Sequence, residues 1–199
     1  MDEDSELAIT QVEPNFVRLW YAKVECGRAI GSFEEVDRLT EARTVRNGVE
    51  VREYLAVFNA IRLSLHFTAN ISKLFWPLRN SNAEVTRRCS EMRELVGLPV
   101  DHPLSDRRLR DHFEHLDERL DKWVGNQLRP FTAIEMILEA DMPEQTRKAL
   151  CQSVPVLYDE VDRSIHILGE KFALLKLLDA VKDVQSRMSL SKIFKFTAH

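Results

Sequence analysis

Residues 49–75 read VEVREYLAVFNAIRLSLHFTANISKLF, and the apolar period of this stretch decides the fold class. Tyr54, Leu55, Phe58, Ile61, Leu65 and Ala69 recur at helical spacing, and further apolar residues widen the stripe. A helix apolar over so much of its circumference belongs at the centre of a bundle. Pro77 stops it, because proline lacks the amide donor and clashes with the preceding turn. Upstream, residues 44–48 read as a loop with Asn47-Gly48 as the turn signal.

Working outward, Phe16, Leu19, Trp20 and Val24 predict a helix over 15–29, with Gly27 and Gly31 marking its end. Asn82 is a good N-cap for a helix carrying Val85, Cys89, Met92 and Val96, which Gly97 and Pro99 terminate. Over 104–124, Leu109, Phe113, Leu116, Leu120 and Trp123 repeat at spacings of 4, 3, 4 and 3. That is an apolar seam suited to packing on another helix. Ser105 can cap this segment, and Asp106 suits the positive end of its dipole.

Beyond Gly125 the pattern weakens. The apolar run 131–138 fits either strand or helix. Residues 154–158 and 164–168 alternate around a polar 159–163, which predicts a short β-hairpin. A last helix over 172–188 carries Leu174, Leu175, Leu178, Val181 and Val184 on one side. The predicted fold is mostly α: an up-and-down bundle over 15–188, with a small hairpin appendage at 154–168. A flexible acidic tail over 1–14 and a loose basic tail over 189–199 flank it.

Composition bounds the function. In 199 residues, 44% are apolar and 30% charged, with only 6 glycines and 7 prolines, which points to a globular domain rather than a turn-rich sandwich or a disordered chain. The net charge of −4 argues against a dedicated nucleic-acid binder. A local basic excess exists all the same. Between residues 73 and 110, Lys73, Arg79, Arg87, Arg88, Arg93, Arg107, Arg108 and Arg110 stand against Glu84, Glu91, Glu94, Asp101 and Asp106. Cys26, Cys89 and Cys151 are odd in number and widely spaced, so reduced thiols in a cytoplasmic protein are expected. No apolar leader or bilayer-length run is present, so no membrane association is expected.

The stretch that carries chemistry is Arg107-Arg108-Leu109-Arg110-Asp111-His112-Phe113-Glu114-His115. Histidine gives and takes protons near neutral pH, and the arginine fork suits phosphate oxygens. Such a pair is the minimum for cutting RNA without a metal: an imidazole for the 2′-hydroxyl or the leaving oxygen, a guanidinium for the charge at phosphorus. Five residues of helix rotate by about 140°, so Arg110 and His115 do not share a face of one continuous helix. At looser spacing Arg107 with His112 and Arg108 with His115 also match. A plainer account makes the cluster a solvated flank, with Asp111–His115 and Arg108–His112 as i,i+4 partners.

Arg110-Asp111-x-x-x-His115 resembles the Arg-polar-x-x-x-His motif of the HEPN superfamily (higher eukaryotes and prokaryotes nucleotide-binding). The resemblance implies an all-helical bundle and a cofactor-free endoribonuclease, often a toxin or phage-defence protein, working as a homodimer that joins two motifs. It implies Arg110 on the scissile phosphate, His115 in proton transfer and Asp111 in support. If the chain cuts RNA, its neighbours Arg107, Arg108 and His112 are expected as further RNA contacts. Two other readings stand beside it. His112-x-x-His115 with Glu118 or Asp111 could hold a metal. Alternatively, the seam and Trp123 could serve a protein partner in a helical interaction or regulatory module. His66, between Leu65 and Phe67, reads as a satisfied core histidine.

Overall fold

The structure, a computed structural model, describes residues 14–42, 44–46, 49–51, 53–78, 80–126 and 133–188; the side chains of 44–46, 49–51, 110, 113 and 114 are not among those described. The expected tail at 189–199, most of that at 1–14 and the start of the 131–138 run lie outside these residues. Seven α-helices and six strands follow in order among them.

The first helix, α1 (Pro14–Glu41), runs through both glycines expected to end it. Gly27 and Gly31 are solvent-facing, with open space where a Cβ would stand. The buried series Cys26, Ala29, Phe33, Val36 continues past them at helical spacing. Each helical glycine costs about 1 kcal/mol relative to alanine, while each buried apolar side chain contributes about 1.5–3 kcal/mol, so packing prevails.

Where a loop was expected from residue 44, residues 44–46 form a strand, β1 (Thr44–Arg46), that pairs antiparallel with β2 (Val49–Val51), Arg46 opposite Val49; the Asn47-Gly48 turn lies outside the described residues. The central helix therefore begins later than the sequence pattern suggested, as α2 (Tyr54–Phe75). Phe58, Ile61, Leu65 and Ala69 are buried as expected. Tyr54 and Leu55, in the first turn of the helix, are instead exposed (46% and 68%). His66 also departs from expectation: it is exposed, its Nε2 3.2 Å from Asn70 Nδ2.

Next, α3 (Ala83–Val96) is capped as its sequence predicts. Asn82 Oδ1 accepts the Val85 amide at 2.9 Å, and Gly97 takes the left-handed conformation (φ 69°) that closes the C-terminus. The sheet consists of β3 (Glu135–Leu138), β4 (Val156–Asp159), β5 (Ser164–Ile167) and β6 (Glu170–Ala173), in that spatial order. The predicted hairpin is its β4–β5 pair. β3 runs parallel to β4 across α6 (Glu144–Ser153), and β6 leads without a loop into α7 (Leu174–Arg187).

Register explains how the sheet seats. Ile137, Tyr158, Ile165 and Phe172 form one cross-strand row, all buried and all in the main core with α1, α2 and α7. The other face packs Leu138 and Leu157 with Val154 under Leu150 and Cys151 of α6. Arg147 of α6 clamps both oxygens of Asp159 at 2.8 Å. The fold is thus mostly helical with a small four-stranded sheet toward the C-terminus, and α1, α2 and α7 form the body of the bundle. No helix among the described residues is long and apolar enough to cross a membrane.

The cysteines are unpaired, Cys26 and Cys89 buried and Cys151 half-buried. Burial, reinforced by the neighbouring Glu25, pushes the Cys26 thiol up to about 12, so it stays protonated.

Candidate functional site

The segment leading to the arginine–histidine stretch is fixed from several sides. His102 is buried and stacks on Trp76 with ring centroids 5.3 Å apart. Its Nδ1 accepts the Leu104 amide (3.2 Å), which leaves the ring proton on Nε2, 3.3 Å from Asp183 Oδ2 on α7. Burial holds this imidazole below its ordinary pKa, against the opposing pull of Asp183. Ser72 Oγ donates to the Leu104 carbonyl at 2.7 Å, tying the 3₁₀ turn Pro103–Ser105 to α2.

The turn delivers the chain to α4 (Arg108–Glu114). Asp106, rather than the Ser105 the sequence offered, supplies the capping oxygen: its Oδ1 accepts the Arg108 amide at 3.0 Å. The same carboxylate receives Arg108 Nε at 2.9 Å, and this bond holds Asp106 below the usual carboxylate range.

The expected single helix over 104–124 is broken. His115 leaves the helical region (φ −127°, ψ 34°), and α5 (Leu116–Gly125) begins after it. Two backbone bonds flank the break: His115 N–H reaches the Asp111 carbonyl (3.1 Å), and Arg119 N–H reaches that of His115 (3.0 Å). It does divide the apolar seam. Leu109 and Trp123 are buried, whereas Leu116 and Leu120 are 45% and 41% exposed.

Around the break lies an open groove of about 720 Å³ that takes in Arg107, Arg108, Asp111, His115, Arg119 and Lys122. Its four cations, Arg107, Arg108, Arg119 and Lys122, exceed its carboxylates, Asp106, Asp111 and Glu118. The His115 side chain is 56% exposed, with Nδ1 3.8 Å from Glu118 Oε2. It has the access to solvent and substrate that a proton-transfer group requires.

His112 points the other way. It is 1% exposed and meets the Phe172 ring edge-on, with centroids 5.9 Å apart. Arg119 bridges the two environments. Its Nη1 donates to Glu170 Oε1 on β6 and lies 3.3 Å from His112 Nδ1. Arginine only donates, so Nδ1 is the acceptor and the ring proton sits on Nε2, a buried atom with no partner. Burial first, and then the Arg119 charge, lower the His112 pKa; Glu170 opposes them. The ring is therefore neutral at neutral pH.

Of the residues singled out from sequence, Arg107, Arg108, Asp111 and His115 share the groove. His112 does not reach it: from the core it can back the groove only through Arg119. The Arg110 side chain lies outside the described residues; its backbone is within α4. Glu170 was not legible at all, being 51 residues from Arg119 in sequence. No group of three or more His, Cys, Asp or Glu side chains placed to hold a metal occurs among the described residues. The chain matches no family model, curated protein or solved structure.

Proposed function

We propose that this chain is a HEPN-like, metal-independent endoribonuclease acting at the groove where α4 meets α5. The observation that carries the reading is the helix break itself, which exposes the His115 imidazole in a channel flanked by Arg107, Arg108 and Arg119. The His115 imidazole removes the proton of an RNA 2′-hydroxyl. The 2′-oxygen attacks the adjacent phosphorus, the bond to the 5′-oxygen breaks, and that oxygen takes a proton from water or from the imidazolium of a second copy. The products are a 2′,3′-cyclic phosphate and a 5′-hydroxyl. Arg110 is the phosphate clamp by resemblance, and Arg119, braced by Glu170, adds a fixed guanidinium to the same channel. Single-stranded or looped RNA is the substrate class, because its backbone can adopt the in-line geometry. As in other HEPN-like nucleases, a toxin or defence role and a homodimer belong to this reading.

The test is incubation of single-stranded RNA with the protein in excess chelator, beside His115→Ala. Loss of a general acid or base lowers the rate by about 10²–10⁴. Cleavage abolished by chelator, or unchanged in His115→Ala, overturns the proposal.

A second reading is favoured by one observation. Leu116, Leu120 and Val124 form an i, i+4, i+8 stripe on α5, each more than 40% exposed. An interaction module would bury this stripe against a partner helix. In that case no RNA cleavage occurs under any condition, and Leu120→Glu abolishes association.

A further inference from the structure

Arg119 links the groove to the core through one nitrogen. Its Nη1 carries two hydrogens and has two acceptors: Glu170 Oε1 on β6, and His112 Nδ1 on α4 at 3.3 Å. One acceptor alone leaves a guanidinium free to swing about the bond. The second sits on a ring that is 1% exposed and wedged against Phe172, so it fixes the orientation as well.

That arrangement exists in one protonation state only. Neutral His112 offers Nδ1 as an acceptor, whereas the imidazolium carries hydrogen on both nitrogens and accepts nothing. Protonation therefore sets a ring N–H against the Arg119 N–H across the same 3.3 Å, positive charge against positive charge. The enclosed ring has nowhere to go. Arg119 does, since its side chain is 31% exposed and lines the open groove. Glu170 can take the exchange: its Oε2 is buried with no hydrogen-bond partner among the described residues, and its charge acts on the His112 ring.

From this geometry we propose that His112 is the positioning residue for Arg119 and an acid-sensitive latch on the groove: its neutral ring holds the guanidinium in place, and its protonation transfers Glu170 to the imidazolium and releases Arg119. The effect on cleavage rests on the RNA reading of the groove; the latch itself rests on the three side chains alone. Its direction follows from the surroundings of the ring. Burial, and then Arg119 of α5, lower the His112 pKa from 6.5, and Glu170 of β6 opposes them. Among the described residues no other charge acts on the ring, and α2, which also packs on α4, brings none. The latch is therefore closed at neutral pH and opens in acid, as a buried histidine switch does.

Nitrogen-15 NMR of the whole chain between about pH 4 and 8 tests the latch without RNA. At neutral pH the His112 ring should carry its proton on Nε2. On acidification it should titrate below pH 6.5, with the Arg119 Nε–H resonance moving at the same midpoint. A ring protonated on Nδ1 at neutral pH, a ring that does not titrate in this range, or an Arg119 signal that ignores the His112 midpoint overturns the proposal. Cleavage of a single-stranded RNA then tests the positioning role. Asparagine places an acceptor near the position of Nδ1 and does not titrate, whereas leucine fills the space without one. Thermal melts confirm that each variant is folded. At pH 7.5 His112→Leu should cut about fivefold more slowly, the effect of one lost hydrogen bond, and His112→Asn should keep most of the rate. In an Arg119→Gln background His112→Leu should cost nothing further, because it acts through that guanidinium. As pH falls, the wild-type rate should drop more steeply than that of His112→Asn, since only the wild type loses the latch together with the His115 base. A His112→Leu loss that persists in Arg119→Gln, or the same acid limb in wild type and His112→Asn, overturns the proposal. The expected NMR titration with no cleavage by any form supports the latch and overturns the nuclease reading.

Discussion

Ile165→Ala tests whether the sheet is a working part of the bundle core. Ile165 is fully buried and sits between Tyr158 and Phe172 in the cross-strand row that meets the helices. Truncating such an isoleucine removes its transfer free energy and leaves a cavity, together about 2–5 kcal/mol. The residue is enclosed by strands on both sides and helices above, so little collapse is available, and we expect about 3–4 kcal/mol. That is a large part of the ~5–15 kcal/mol typical of a folded domain. With a urea slope of about 3 kcal/mol per M, near the top of the usual range for a chain of this length, the midpoint falls by about 1 M. Far-UV circular dichroism follows the helices, and fluorescence follows Trp20, Trp76 and Trp123, of which Trp76 and Trp123 are buried. Both transitions should shift together if sheet and bundle unfold as one unit. Val161→Ala, at an exposed turn, is the control and should stay within about 0.5 kcal/mol. A cost below about 1 kcal/mol for Ile165→Ala, or a helical transition that does not move, refutes the reasoning. The site depends on this seating, because β6 carries the Glu170 that braces Arg119.

Three further outcomes follow. His102, His112 and His166 each have a pKa lowered mainly by burial from 6.5, so the unfolded chain binds more protons just below that pH and stability must fall as pH drops through it. The urea midpoint should be lower at pH 5.5 than at 7.5; an equal or higher midpoint at 5.5 contradicts the histidine environments described. Glu170→Gln leaves stability within about 1 kcal/mol, since the pair it makes is about one-third exposed, yet it should slow RNA cleavage several-fold by freeing Arg119. Unchanged cleavage would remove Arg119 from the site. Light scattering at micromolar concentration should give twice the 23.1 kDa chain mass, and Leu116→Glu with Leu120→Glu should restore the monomer; a monomeric wild type rules out the α5 face as the dimer contact.

The fold was legible where local signals and tertiary packing agree. Asn82 and Gly97 bound α3 because capping is written in the residues that perform it. The β4–β5 pair was visible because alternation has the same period as a strand. The glycines of α1 misled because a propensity cost of about 1 kcal/mol each is smaller than the burial of Phe33 and Val36 farther along. The 104–124 segment misled in the opposite direction. Its heptad-like spacing is continuous, but the chain bends at His115 and Leu116 and Leu120 stay outside the core. Within the site, sequence pointed to the neighbourhood and to Arg107, Arg108, Asp111 and His115. It carried no sign that His112 would be enclosed, nor that Glu170 would arrive from a distant strand. Those depend on where β6 comes to lie, with its Phe172 against His112 of α4 and its Glu170 at Arg119 of α5, which no local pattern encodes.

The central claim is that His115 drives attack by the RNA's own 2′-hydroxyl, and the chemistry of the cut ends tests it most directly. A single-stranded RNA and the same sequence in DNA are incubated with the protein in excess chelator, and the product ends are identified by mass spectrometry. The account predicts RNA fragments ending in 2′,3′-cyclic phosphate and 5′-hydroxyl, an intact DNA strand, and no such fragments above background with His115→Ala. Cutting of the DNA strand, 5′-phosphate ends, or the same fragments from His115→Ala would contradict it.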